Sequence, residues 1–281
     1  MAKHSKIEWT HHTFNPWWGC ERVSPACKHC YAETWAHRLG LDLWSKNAPR
    51  RFPSDSYWRQ PIAWDRDAGA ARQRHRVFCA SMADVFEKRS DLDAPRQRLW
   101  QLIFDTPNLD WLLLTKRPQH VAEMVPWGKS WPRNVWLGTT VETQRWAEKR
   151  LPQLLANPAR VLFLSCEPLL GPVDLAPWLR NLGEAHRLGW VIAGGESGHH
   201  ARPTNPAWLE GLKDQCEEGD IAFHFKQWGN WSPCSQVEAS RRVIRTLRYP
   251  SGEFVDMVNV GKKASGRVLD GREWNGLPKV G

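Results

Sequence analysis

Three cysteines stand close together near the start of the chain. In NPWWGCERVSPACKHCYAE, residues 15–33, Cys20, Cys27 and Cys30 are spaced C-x6-C-x2-C among prolines and aromatics. Thiolates bind metal ions and clusters, and a closed structural zinc site takes four protein ligands. Three thiols leave one position. A histidine (His29, His4, His11 or His12) would complete a zinc site of three cysteines and one histidine. Alternatively the position stays open: a [4Fe–4S] cluster on three thiolates leaves one iron to bind a small molecule. The other four cysteines, Cys79, Cys166, Cys216 and Cys234, are scattered, as buried small hydrophobes usually are.

Further chemistry-bearing residues each follow an apolar, β-rich run. Ser81 ends RVFCAS (76–81) and Asp84 comes just after it. Lys116 and Arg117 follow DWLLLT (110–115), and Glu142 follows NVWLGTT (134–140). Cys166 and Glu167 follow RVLFLS (160–165). Gly194 and Gly195 end LGWVIAGG (188–195), with Glu196 next, and Lys226 ends IAFHFK (221–226), with Gln227 next. Between the runs lie stretches suited to helices, at 93–106, 143–156 and 205–219, the last with Asn205 as cap and Pro206 at the first helical position. The runs lack polar alternation, as strands buried on both faces do. With a possible first strand near 6–14, they predict an α/β chain with a parallel sheet, closed or partly closed into a barrel. A doubly wound open sheet is the alternative, which periodicity does not separate. In both folds the carboxyl ends of the strands form the active face, which is where these residues fall.

A length of 281 residues with 41% hydrophobic residues affords a large core. No apolar run is long enough to cross a bilayer, and the start has no secretory h-region, so a cytoplasmic location is expected. In a reducing compartment a disulfide framework is not expected. The net charge of +9 favours polyanionic partners. The 19 tryptophans are expected mostly in the core, with some available to stack on bases. From residue 229 the composition turns rich in Gly, Arg and Lys, with short strands expected near 253–260 and 267–269. The expected division is therefore a βα barrel over 1–228 and a basic C-terminal extension over 229–281, packing on the barrel or over its mouth.

The stretches FNPWWGCERVSPACKHCYAE, TKRP, CEPLL, GGESG, KQWG and GKKASGRVLDGREW span residues 14–274. Through them the chain resembles a phage- and prophage-borne family of radical S-adenosylmethionine (SAM)-like proteins with a widened three-cysteine motif. The resemblance implies a partial (β/α)6-type, TIM-like barrel, a [4Fe–4S] cluster on Cys20, Cys27 and Cys30, and SAM at the open iron. It also implies reductive cleavage of SAM to a 5′-deoxyadenosyl radical, with a flavodoxin- or ferredoxin-like electron donor. The usual radical-SAM spacing is C-x3-C-x2-C. Here the first loop is longer, while CKHCY keeps the final pair and an aromatic, Tyr31, beside the last thiol.

The superfamily's Gly-Gly-Glu motif ends the second strand and binds the methionine amine. Here SMADVF stands there, which passes that role to Ser81 and Asp84, while GGESG with Glu196 comes four strands later. Gly194 and Gly195 would permit close approach of backbone to a ligand, or make a tight turn. Glu142 and Glu167 would hold the ribose or the amine, act as acid–base groups, or pair with Lys116, Arg117 or Lys226. Lys226 and Arg117 suit a carboxylate or phosphate. By likeness to the DNA-repair lyase branch, Cys166 is a candidate hydrogen-atom donor, with a packed cysteine as the ordinary alternative. Asn15 and Trp18 would shape the cluster loop. Lys262, Lys263, Arg267 and Arg272 would clamp a phosphodiester backbone, or form a solvated hairpin. The paired histidines at 11–12 and 199–200 are weaker metal candidates. The expectation is a radical-SAM-type enzyme acting on a nucleic-acid base or nucleotide. Its alternatives are a non-catalytic, zinc-stabilised nucleic-acid-binding module, and a barrel that keeps its cluster but scaffolds a protein partner.

Overall fold

A computed structural model describes residues 5, 7–179, 187–237 and 243–280. Strands β1 (His12–Thr13), β2 (His75–Cys79), β3 (Leu109–Thr115), β4 (Val135–Thr140), β5 (Val161–Cys166), β6 (Leu188–Gly194) and β7 (Ala222–Gln227) form one sheet in the order β1-β2-β3-β4-β5-β6-β7. The pairings of β1 with β2, β2 with β3, β3 with β4 and β6 with β7 are parallel. Strand order equals chain order, so every crossover steps the same way. A doubly wound sheet reverses direction at a switch point; this one does not, and its winding is that of a partial (β/α) barrel. All six apolar runs are strands, and the first strand shrinks to two residues.

The crossovers carry α1 (Tyr31–Arg38), α2 (Asp55–Trp58), α3 (Gln60–Ala70), α4 (Asp93–Asp105), α5 (Val121–Met124), α6 (Gln144–Leu155), α7 (Ala176–Leu179) and α8 (Pro206–Glu218). The start of α8 is as its sequence predicts: the Asn205 side chain accepts the Ala207 N–H at 3.0 Å, and Pro206 occupies the first turn, where its missing donor costs nothing.

By internal packing the chain divides into two compact units. The first is Met1–Ser24, Ala32–Thr139 and Pro152–Leu162; the second is Pro25–Tyr31, Thr140–Leu151 and Phe163–Gly281. In the first, Phe14 stacks on Tyr57 with centroids 5.0 Å apart and meets Trp58 and Trp111 edge-on. In the second, Phe163 packs on Trp190, and Phe225 on Trp228. Trp17, Trp111, Trp136, Trp190 and Trp228 are all fully buried, so much of the tryptophan excess is core.

Within the second unit, β8 (Trp231–Pro233), β9 (Ile244–Arg248) and β10 (Phe254–Asn259) make an antiparallel sheet in the order β8-β10-β9. Of the two strands expected there, 253–260 is β10, while 267–269 reduces to an isolated bridge from Leu269 to Arg272. Strand β9 was not legible because its residues, IRTLR, are nearly all exposed and carry no apolar stripe, and β8 is too short, at three residues, to show a pattern. Beyond them the chain runs antiparallel to β7: the Phe225 N–H donates to Trp274 O and the Gly276 N–H to Phe223 O, both at 2.9 Å. No helix among the described residues is long and apolar enough to cross a membrane.

Candidate active site

In the first unit the site begins with the segment before Cys20. Asn15 is fully buried; its Oδ1 accepts the Met82 N–H at 2.7 Å and its Nδ2 donates to Ser81 Oγ at 3.1 Å. Trp18 exchanges both backbone hydrogen bonds with Arg51, and the Gly19 N–H donates to Met82 O at 3.0 Å. Gly19 has φ +111°, and a Cβ there would lie 2.7 Å from Leu43 O, so only glycine fits between the two segments. Asn15 and Trp18 therefore fix the approach to Cys20, and Ser81 is spent on Asn15.

Asp84 is buried and fully used. Its Oδ1 accepts from Thr115 Oγ1 (2.7 Å) and the Phe86 N–H (3.1 Å); its Oδ2 accepts from the Lys116 N–H (2.9 Å) and Arg117 Nη1 (3.0 Å). Burial opposes its charge, but the Arg117 guanidinium and these donors hold its carboxyl below the usual range. Arg117 in turn reaches the cysteine: Nη1 lies 3.6 Å from Cys20 Sγ, and Nη2 donates to Glu21 O at 2.9 Å. Burial pushes the Cys20 thiol up to about 12, against the pull of Arg117.

In the second unit, two strand-end glutamates hold the loop Pro25–Tyr31, which carries Cys27 and Cys30. Glu142 is fully buried; its Oε1 accepts the Ala26 N–H at 3.3 Å and its Oε2 accepts from Arg150 Nη1 at 2.9 Å. Glu196 Oε2 accepts from the Arg202 N–H and Nε at 2.8 Å and lies 3.0 Å from His29 Nδ1, while Oε1 pairs with Arg202 Nη2. Arg202 Nη2 also donates to Pro25 O at 3.1 Å. Burial opposes the Glu196 charge, and Arg202 and His29 hold its carboxyl low. The partners Arg150 and Arg202 were missed in the sequence. Arg202 leaves no signal there, being one basic residue in a loop. Arg150 does: it falls on the same α6 stripe as the buried Ala147, Leu151 and Leu154, where a lone charge demands a buried partner.

The profile of the family described as "Protein of unknown function (DUF5131)" matches residues 4–278. The chain belongs to DUF5131. No curated protein matches it. Among solved structures, a spore photoproduct lyase variant with bound AdoMet and dinucleoside spore photoproduct is 12% identical, with TM-score 0.48 over 91% of this chain and 70% of that one. Spore photoproduct lyase complexed with dinucleoside spore photoproduct is 13% identical, with TM-score 0.43 over 86% of this chain and 66% of that one. A further lyase variant is 14% identical, with TM-score 0.49 over 91% and 70%.

In this DUF5131 chain the remaining expected residues separate. Glu167 Oε2 pairs with Lys226 Nζ at 2.7 Å, while its buried Oε1 has no hydrogen-bond partner among the described residues. Cys166 is fully buried at the end of β5, and burial, with Cys216 and the two glutamates beside it, keeps its thiol protonated. The close approach at Gly194 and Gly195 is to the chain itself: a Cβ would lie 3.1 Å from Gln227 O at the first and would collide with Trp228 O at the second. Lys116 is half-buried and Tyr31, at the start of α1, is exposed. The basic stretch divides. Lys262 and Lys263 are exposed, whereas Arg267 bonds Asn275 and Arg272 stacks on Trp274, 3.6 Å from its ring centre. His11, His12 and His75 contact one another, His12 stacks on Trp64, and His199 and His200 pack together. His4 lies outside the described residues.

The donors suit a metal centre in kind. All seven cysteines are thiols, and Cys20, Cys27 and Cys30 are part-exposed while Cys79, Cys166 and Cys216 are buried. A guanidinium stands beside one of the three, and buried glutamates brace the loop of the other two. Among the described residues, no group of three or more His, Cys, Asp or Glu side chains is arranged to hold a metal ion.

Proposed function

We propose that this chain is a radical-SAM-type enzyme acting on a nucleic-acid base or nucleotide, with Cys20, Cys27 and Cys30 as ligands of a [4Fe–4S] cluster and SAM at the open iron. When bound, the cluster supplies the electron that cleaves the SAM sulfonium. The observation that carries this reading is the commitment of two buried strand-end carboxylates to one short loop. Glu142 holds Ala26, and Glu196 holds His29 and, through Arg202, Pro25. Such bracing of the loop that carries Cys27 and Cys30 supports the reading, because an active site of this fold class is built at the carboxyl ends of the strands.

The other residues take roles that follow from their contacts. Asp84 and Ser81 position the chain around Cys20, because their oxygens are already engaged. Glu167 Oε1, without a hydrogen-bond partner among the described residues, offers an acceptor to a ligand hydroxyl or ammonium, with Lys226 fixing the carboxylate. Lys116 suits a ligand carboxylate or phosphate. Cys166 keeps its proton, the state a hydrogen-atom donor needs. Lys262 and Lys263, in the extension from residue 229, meet the phosphodiester backbone. A small acidic flavodoxin- or ferredoxin-like protein supplies the electron, and the net charge of +9 favours its approach.

The test is anaerobic reconstitution beside a Cys27→Ala variant, with iron, sulfide and zinc analysis. The expected result is a brown protein with about four irons per chain, lost in the variant, that forms 5′-deoxyadenosine from SAM and dithionite. A colourless protein with about one zinc per chain would instead favour the nucleic-acid-binding module. Iron without deoxyadenosine would overturn the enzymatic reading.

A further inference from the structure

The residues after β3 place a buried cation against the first cysteine. Arg117 is only 6% exposed. Its guanidinium is held at two corners, Nη1 on Asp84 Oδ2 and Nη2 on Glu21 O, and the Arg117 N–H donates to Thr115 Oγ1 at 2.8 Å. Asp84 is itself immobilised by three further donors. The fork is therefore held by the chain's own groups, with Nη1 3.6 Å from Cys20 Sγ.

We infer that Arg117 is a positioning residue for electron uptake: it donates a hydrogen bond to the Cys20 sulfur and raises the reduction potential of the cluster that sulfur ligates. This rests on the reading that Cys20 is a cluster ligand. Three thiolates on a four-iron core give an anionic centre, and reduction adds one electron to it. One electron passes from the external reductant to the cluster; no bond breaks and no proton moves. A fixed positive charge beside a ligand sulfur stabilises the more anionic, reduced state, and hydrogen bonds to sulfur act in the same direction. Burial keeps the interaction from being screened by salt. Asp84 offsets part of the charge, but the N–H aimed at sulfur remains. A lysine would keep the charge and lose the rigid two-cornered hold.

The experiment is a redox titration of the reconstituted protein with dithionite, followed by the electron paramagnetic resonance of the reduced cluster. It compares the wild type with Arg117→Gln and Arg117→Lys. At equal iron content, Arg117→Gln is expected to make reduction at least about tenfold less favourable, a midpoint about 59 mV lower for a one-electron couple. Arg117→Lys is expected to fall between the two. An Arg117→Gln protein with full iron and an unchanged midpoint would overturn the inference. If that variant fails to fold or to load, the wild type decides. With arginine isotopically labelled at its guanidino nitrogens, the reduced cluster should show a hyperfine coupling to nitrogen, and absence of that coupling overturns the inference. A wild type that takes up no iron would refute the cluster itself, a different failure.

Discussion

Glu142 and Arg150 show what a buried charge requires. Their side chains are 0% and 2% exposed, joined at 2.9 Å, with Arg150 also donating to Thr140 O and stacking on Trp146. Removing one partner leaves the other charged and dry. Glu142→Ala should therefore cost about 3–5 kcal/mol in denaturant unfolding. The carboxylate was read in the sequence as a strand-end residue, whereas its partner, signalled only by one charge on the apolar stripe of α6, was passed over. Sequence spacing placed Lys116, Arg117 and Lys226 as candidates, whereas the fold selects an arginine on the following helix. Only the Glu167–Lys226 pair matched a pairing read from the chain.

Titration adds a second prediction at this scale. Burial, and then Arg76, His75 and His12, bring His11 down to about 4 from its ordinary 6.5. Between these values an unfolded His11 binds a proton that the folded one refuses. Its contribution is thus present above pH 6.5 and lost as pH falls to about 4. Asp84 works in a lower window: its carboxyl is depressed, so its contribution holds above 3.8 and is lost below it. Unfolding midpoints measured across pH should show His11→Gln flattening the limb above pH 4 while leaving the steeper acid limb in place. Parallel curves for the variant and the wild type would contradict the assignment.

At the scale of elements, the parallel strands were legible because burial on both faces leaves continuous apolar runs, and all six residues of β4 and of β5 are buried. What the runs did not reveal is how tightly neighbouring strands meet. The register of β6 with β7 shifts at Gly194, and the Gly195 N–H donates to Gln227 O. A Cβ on Gly195 would strike the Trp228 carbonyl, whereas one on Gly194 only crowds Gln227 O. Gly195→Ala should therefore cost about 3 kcal/mol or more, and Gly194→Ala clearly less, by the same denaturant measurement. Equal losses would mean that the two strand ends relax freely. The doublet was read as a place of close backbone approach to a ligand, or as a tight turn; the contacts at hand are between two backbones of the chain.

At the scale of the molecule, the choice between barrel and doubly wound sheet lay beyond periodicity, because both produce identical runs. It took strand order to decide it. The basic surplus was legible as a number, but its distribution was not: Arg267 and Arg272 are occupied by Asn275 and Trp274. If nucleic acid is the partner, replacing Lys262 and Lys263 by alanine should lower the salt slope of binding by about one unit for each phosphate no longer neutralised. Arg272→Ala should change the slope less than either lysine.

The strand of tail beside β7 has a consequence for how copies of this protein behave toward each other. The seven-strand order ends at β7, and an end strand offers a ladder of donors and acceptors to any passing chain. Trp274–Gly276 fills that ladder from within, bonding Phe223 and Phe225, while Trp190 Nε1 anchors Gly276 O at 2.9 Å. The tail therefore covers the sheet edge at these positions. A protein shortened to end at Asp270 should show concentration-dependent assembly in light scattering, and adding the missing peptide back should slow it.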